Sequence, residues 1–305
     1  MNEEDNKLLN NILPKDVSFG TVYNIRKNGK CVDRKVNEYI NITSKEDGSG
    51  INIYVKEDIP LGIVDIPVLL TESGMTDIVY NDFFIGKNAH VTIVAGCGIH
   101  NPGHADSVHN GIHRFFLEEG ANVRYIEKHY GEGSGDGKRI LNPVTEVYMK
   151  KNAYMVMDTQ QLKGVSDTLR VTKAKLSDNA TLIINEKILT TNNQKAKTKF
   201  IVSLDGKNSS THVTSRSVAE DESYQEFNSN VIGNNACYGH VECDAIIKDK
   251  GCVRAIPKIY AKHIDARLIH EATIGKIAGE QFIKLMSLGL SAKEAEKVII
   301  EGFLK

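Results

Sequence analysis

The side chains able to do chemistry in this sequence are thiols, imidazoles and carboxylates, and their neighbours decide which of them meet. Cys243 lies in Gly239-His-Val-Glu-Cys-Asp-Ala-Ile-Ile247, where Val241, Cys243, Ala245 and Ile247 alternate with His240, Glu242 and Asp244. That period of two is a strand with one apolar face, and it predicts a thiol turned into a core. Cys97 closes Val91-Thr-Ile-Val-Ala-Gly-Cys97 with the parity of Val91, Ile93 and Ala95, so it too is predicted inward, near a strand end. His270 and Glu271 stand together in Ile264-Asp-Ala-Arg-Leu-Ile-His-Glu-Ala272. If a strand persists there, Ile264, Ala266, Leu268 and His270 share a face. Thiolate, imidazole and carboxylate form a mixed ligand set that iron accepts. A lone histidine at the end of an apolar row is more often a hydrogen-bonded core residue, and spacing alone does not bring it to Cys243.

The remaining candidates are weaker. Cys31 and Cys237 read as small buried hydrophobes. Cys252 shares the parity of Arg254 and is open between core and surface. His100, His104, His109 and His113 follow Cys97 closely, but their spacings match no zinc signature. His129 stands beside a loop with Gly131, Gly133, Gly135 and Gly137 that lacks the lysine-serine ending of a nucleotide loop, so the chain itself is not expected to hydrolyse ATP.

The elements that must position these residues change character along the chain. Glu3 to Ile12 is predicted helical, with Leu8, Leu9 and Ile12 on one side and Pro14 ending the pattern, which makes residues 1–16 an N-terminal helical arm. Residues 17–270 read as a β core of short runs such as Ile51–Val55, Ala89–Val94 and Ala180–Ile184, cut by Gly, Asn and Asp. Within it a turn pair followed by a small residue recurs at Ala89, Ala121, Ala153, Ala180, Ser210, Ala236 and Gly251, at intervals of 32, 32, 27, 30, 26 and 15. Such irregular spacing fits stacked coils with loops of unequal length, a parallel β-helix, better than a sandwich with turns every 8–12 residues or so. Residues 271–305 are predicted to be a helical hairpin. Ile274, Ile277, Ala278, Phe282, Leu285 and Met286 form one apolar stripe ended by Gly289, and Ser291 with Glu294 opens the second helix. The hairpin reads either as a cap over the solenoid's open end or as a docking element.

Lys plus Arg number 38 against 39 Asp plus Glu, so no long-range field gathers nucleic acid or an anionic membrane. No apolar run approaches the roughly 20 residues of a membrane span, and the N-terminus is acidic and polar. Five cysteines at scattered spacings in a chain of this size read as free thiols of a cytoplasmic protein.

At three segments the sequence resembles the SufB/SufD family of the SUF iron–sulfur cluster assembly system. They are Ala95-Gly-Cys97 with His109-Asn-Gly-Ile-His113; Cys243-Asp-Ala-Ile-Ile-Lys-Asp-Lys-Gly-Cys252; and His270-Glu-Ala-Thr-Ile-Gly-Lys-Ile-Ala-Gly-Glu-Gln281 with Gly289-Leu-Ser291 and Glu301-Gly-Phe303. The likeness covers about residues 17–305 and is to a short form lacking the long N-terminal region of larger members. It implies a right-handed β-helix, a helical hairpin that docks a SufC-type ABC ATPase, and pairing with a second SufB/SufD-type subunit, here a homodimer. Position by position it implies that Cys243 is the scaffold cysteine, that His270 and Glu271 join it as ligands of a transient iron–sulfur cluster, and that Cys97 is the sulfur acceptor. A sulfur donor and recipient apoproteins are implied as partners. The resulting expectation is an assembly scaffold, not an enzyme. The alternatives are a D-like adaptor that regulates the ATPase without cluster chemistry, and a carbohydrate-active β-helix enzyme. The latter is disfavoured by the absence of tryptophan and by an N-terminal stretch that is not expected to act as a signal peptide.

Overall fold

The computed structural model describes residues 2–13 and 20–305. Pro14, and the expected passage from arm to core at residues 16 and 17, lie outside the described residues. Helix α1 (Glu3–Ile12) opens with a reciprocal capping box between Asn2 and Asp5. Two antiparallel hairpins follow, β1 (Val22–Lys27) with β2 (Lys30–Lys35) and β3 (Ile40–Ser44) with β4 (Gly50–Val55).

Every later pairing is parallel. The strands are β5 (Gly62–Asp65), β6 (Val68–Leu70), β7 (Thr76–Ile85), β8 (His90–His100), β9 (Ser107–Leu117), β10 (Asn122–Glu132), β11 (Arg139–Leu141) and β12 (Val144–Met149). They continue as β13 (Tyr154–Lys163), β14 (Asp167–Leu176), β15 (Thr181–Thr190), β16 (Lys195–Leu204), β17 (Ser210–Ala219), β18 (Tyr224–Gly233), β19 (Tyr238–Ile247), β20 (Cys252–Ala261) and β21 (Arg267–Gly275). They wind into a parallel β-solenoid of about eight turns. One sheet runs β2-β1-β5-β8-β10-β13-β15-β17-β19-β21, and the facing sheet β20-β18-β16-β14-β11-β9-β7-β4-β3. Val91, Val123, Met155, Leu182, Thr211, Gly239 and Leu268 stack in register, so each coil advances the chain by 27 to 32 residues.

The period of two turns alternate residues of both sheets into one apolar column that includes Ile53, Phe83, Phe115, Tyr125, Met157, Phe200 and Val241. Asparagine is the recurring turn residue because its short polar side chain tolerates the left-handed region that the turn requires. Asn88, Asn152, Asn179 and Asn208 all have φ between 52° and 60°. Each is followed by a small, fully covered residue: Ala89, Ala153, Ala180 and Ser209. The small residue of that fourth turn is therefore Ser209, one position before the expected Ser210.

The helical spacing read from Ile274 onward is realised only from Gly279. Ile274 lies in β21, because pairing with β19 holds the chain extended through Gly275. Helix α2 (Gly279–Ser287) is followed by Gly289 at φ +99°, and α3 (Ala292–Phe303) opens on the predicted Ser291–Glu294 capping box. The pair does not close the solenoid's end. Ile300, Phe303 and Leu304 pack with Leu162, Leu189, Val218 and Ile246, side chains of β13, β15, β17 and β19, so the helices lie along a flank. The N-terminal end of the solenoid is blunted by the two hairpins, whereas β20 and β21 end their sheets and leave edges open.

Candidate functional site

Cys243 and His270 both face inward on adjacent strands at this open end. Cys243 is 1% exposed, and on β21 the inward side chains are Leu268 and His270, in line with Ala266 just before the strand. Cys243 lies opposite Ala272 and His270 opposite Val241. The two side chains are thus diagonal neighbours on one face, a separation of roughly 7–8 Å between backbones. Burial, then Glu186 and Asp244, push the Cys243 thiol up to about 12, so at neutral pH it is protonated and a poor ligand. The buried Nε2 of His270 has no hydrogen-bond partner, and burial, then His240, lower the imidazole's pKa.

Glu271 takes the opposite face. It pairs with Glu242 in register and approaches His240 Nε2 at 3.6 Å on the outside of the sheet. Alternation along the strand separates it from His270, so within one chain Glu271 does not join the inward pair. Among the described residues no group of three or more His, Cys, Asp or Glu side chains is placed to hold a metal ion. Ile264, read as part of the inward row, is 95% exposed in the turn before β21.

Cys97 is sealed near the other end. It lies within β8, which continues to His100, and packs with Val68, Leu70, Ile99, Leu141 and Val165. Burial, then the Glu127 carboxylate, hold its thiol well above the ordinary range. Between the two thiols the solenoid contains a polar file. Ala95, Glu127, Thr159, Glu186, Ser215 and Cys243 stack in one register row of β8, β10, β13, β15, β17 and β19. Five strand spacings from β8 to β19 make about 24 Å.

The file is held by one guanidinium between two carboxylates. Arg170 Nη1 contacts Glu127 Oε2, and Arg170 Nε lies 3.6 Å from Glu186 Oε1. Burial alone would push both carboxyls up, but Arg170 brings Glu127 well below the usual carboxylate range while Glu186 stays raised. Thr198 and Ser215 donate to Glu186 at 2.9 and 2.8 Å. Tyr125 donates to Glu127 at 3.0 Å and lies 2.7 Å from His113 Nδ1, which makes that nitrogen the protonated one. Asp77 holds His109 Nδ1 at 3.1 Å and receives Arg26 Nη2 at 2.6 Å.

None of this network was singled out from the sequence, apart from the histidines. The signal was present, since Glu127, Arg170 and Glu186 have the parity of Val123, Thr168 and Leu182 in their strands. Charged residues in the inward register ran against the usual rule for buried charges, which holds unless they are paired.

The other cysteines divide. Cys237 is buried in the main core, as expected. Cys31, expected to be buried, is exposed on the edge strand β2, because no strand covers that side. Cys252 is exposed at the start of β20. His104 pairs at the surface with Asp136, whereas His109 and His113 are covered. Outside the solenoid, α2 and α3 with Ile246 line an apolar groove of about 500 Å³ that includes Leu285, Leu288, Val298 and Phe303. No helix among the described residues is long and apolar enough to cross a membrane.

Fold and site together define a β-solenoid protein with sealed thiols inside and an apolar helical pair on its flank. The family model described as "SUF system FeS cluster assembly, SufBD core domain" matches residues 71–303. The chain belongs to the SufBD family of iron–sulfur cluster assembly proteins. Similar relatives, each called an iron–sulfur cluster assembly SufBD family protein, come from three archaea. That of Archaeoglobus fulgidus is 28% identical, with 90% of this chain and 73% of the relative covered. That of Pyrococcus horikoshii is 28% identical over 77% and 71%. That of Methanocaldococcus jannaschii is 25% identical over 92% and 89%.

Proposed function

We propose that the chain is a scaffold subunit on which an iron–sulfur cluster is built as cargo, working with a SufC-type ABC ATPase and a second copy of itself. The observation that carries this is the placement of Cys243 and His270 on one inward face of the last coils, at the end where the sheet edges are open. A second copy added edge to edge would enclose these donors at a junction, and Glu271 would join them there only if the terminal strand shifts or the partner supplies it. The apolar groove between α2 and α3 is the surface offered to the ATPase. Because the pair rests on β13 to β19, a pull on it acts on the coil that carries Cys243.

Burial and reactivity are then reconciled by a switch. Closed, Cys243 is a neutral thiol. Opened by ATP binding in the partner, it is wetted, its pKa falls towards that of an exposed thiol, and the thiolate attacks or ligates. Sulfur arrives as persulfide at Cys97 or Cys243 from a donor, and the finished cluster passes to apoproteins. ATP is hydrolysed by the partner and not by this chain. Five unpaired cysteines support a reducing, cytoplasmic setting.

Anaerobic reconstitution of the chain with its ATPase, iron and free sulfide, followed by iron and sulfide analysis, tests the reading. Cys243→Ser and His270→Ala are each expected to abolish cluster formation, and Cys31→Ser to leave it intact. Full cluster content in Cys243→Ser, with the complex assembled, would leave only the adaptor role.

A further inference from the structure

Both thiols of the proposed route are sealed, so a sulfur donor meets neither of them in the closed chain. The N-terminal end of the solenoid holds a cavity of about 250 Å³ whose lining includes Cys31, Arg26, Lys30, Arg34, Val68 and Asn81. Its inner wall consists of inward-facing core residues and its rim of the β1–β2 hairpin. Cys31 is exposed at that rim, its Sγ 3.2 Å from Asn24 Oδ1. Arg34 is fixed at the rim by donating to the same Asn24 oxygen at 2.8 Å, and Arg26 by Asp77.

Two observations point to an occupant. Asn81 lines the cavity at 3% exposure, and its buried Oδ1 has no hydrogen-bond partner, although its Nδ2 lies 3.3 Å from His113 Nε2. An acceptor left unsatisfied beside an open cavity awaits a donor hydrogen. The register also aligns the two thiols. Cys31, Arg26, Val68 and Cys97 are successive partners across β2, β1, β6 and β8, so the rim thiol lies three strand spacings, about 14 Å, from the sealed one.

We propose that this end cavity binds the terminal persulfide of a sulfur donor and that Cys31 takes its sulfane sulfur. The assignment rests on the sulfur-handling reading above and names where sulfur enters. The Cys31 thiolate attacks the outer sulfur of R–S–SH. A new S–S bond forms on Cys31 as the donor's S–S bond breaks, and the electron pair leaves on R–S⁻, which takes up the proton that Cys31 gave to solvent. No oxidant is consumed. Lys30 and Arg34 offset the charge of the donor and of the departing thiolate, and Asn81 Oδ1 accepts the hydrogen of the terminal S–H.

The test treats the reduced full chain, without iron, with free cysteine persulfide in one arm and with a persulfide carried on a cysteine desulfurase in the other. Peptide mass analysis then locates the added sulfur. Cys31 is expected to gain sulfur about tenfold faster than Cys252, the other exposed cysteine. Lys30→Ala is expected to slow this uptake about tenfold more than it slows alkylation of Cys31 by neutral iodoacetamide, a comparison that removes any change in thiolate fraction. Uptake from the free persulfide identifies a small-molecule donor, and uptake only from the desulfurase a protein donor; either supports the site. Sulfur appearing first on Cys252, or equal slowing of both reactions in Lys30→Ala, overturns it. Because the readout needs no iron, a chain that builds a cluster from free sulfide can still fail this test, and one that builds none can still pass.

Discussion

At the residue scale the molecule is governed by charges that should not be inside a β core and are there only because they are paired. Arg170 is 3% exposed between Glu127 and Glu186. Removing it leaves two buried carboxyls without a counter-charge. Arg170→Met is expected to cost about 3–5 kcal/mol in denaturant unfolding, with much of the loss recovered when Glu127→Gln and Glu186→Gln are added. A fully additive triple variant would count against the pairing. His113 gives a pH signature. Burial, partly opposed by Glu127, lowers its pKa from the ordinary 6.5 to about 4. As pH falls below 6.5 the unfolded chain takes a proton that the folded chain refuses, so stability drops until about pH 4 and then levels. The contribution is about 3 kcal/mol across that window. Unfolding measured from pH 7.5 to 4 is expected to fall less steeply by this amount in His113→Gln than in the unaltered chain, and identical slopes would refute it.

At the scale of elements, α1 is seated on the outer side of the strand that carries Cys97. Gly96 and Gly98 flank that cysteine and face out, and a Cβ on them would come within 2.9 Å of Ile12 and 2.8 Å of Leu8. Both leucine and isoleucine are fully buried there, next to Leu69 and Tyr130, and Asp5 of the helix is tied to Lys27 at 2.8 Å. Glycine at these two positions is what lets the helix backbone approach the sheet. Gly96→Val is therefore expected to unseat α1 at a cost of about 1–3 kcal/mol. Limited proteolysis would show the N-terminal segment cut much faster while the solenoid stays resistant. Unchanged cleavage would mean that the strand yields instead of the helix.

At the scale of the molecule the two ends differ. Hairpins finish the N-terminal end, but β20 and β21 present free edges with Ile259, Tyr260 and Ile269 between 39% and 49% exposed. An open edge with exposed apolar side chains favours pairing with another chain. Light scattering is expected to give the mass of a dimer at micromolar concentration. Ile259→Lys with Ile269→Lys is expected to return a monomer that is still folded. A monomeric mass for the unaltered chain well above that concentration would remove the edge from the assembly.

The strand period, the asparagine turns and the capping residues are local, and local chemistry is written in sequence. The solenoid, the Ser291–Glu294 cap, Gly289 and the inward direction of Cys97 and Cys243 could therefore be read before any coordinates. Three matters depended on what the chain meets in space. The end of β21 was set by pairing with β19, which overrode the helical spacing from Ile274. The place of α2 and α3 was set by apolar side chains that β13 to β19 leave on their outer face, so the helices took the flank and left the edges open. The sharing of Arg170 by Glu127 and Glu186 was set by stacking residues 43 and 16 positions away from it in sequence. Alternation told which way each side chain turned and put Glu271 on the other side of the sheet from His270, but only the pairing of strands decided which ones met: the β1–β2 hairpin and the coil lengths put Cys31 and Cys97 in one row, and coil length placed Cys243 near His270.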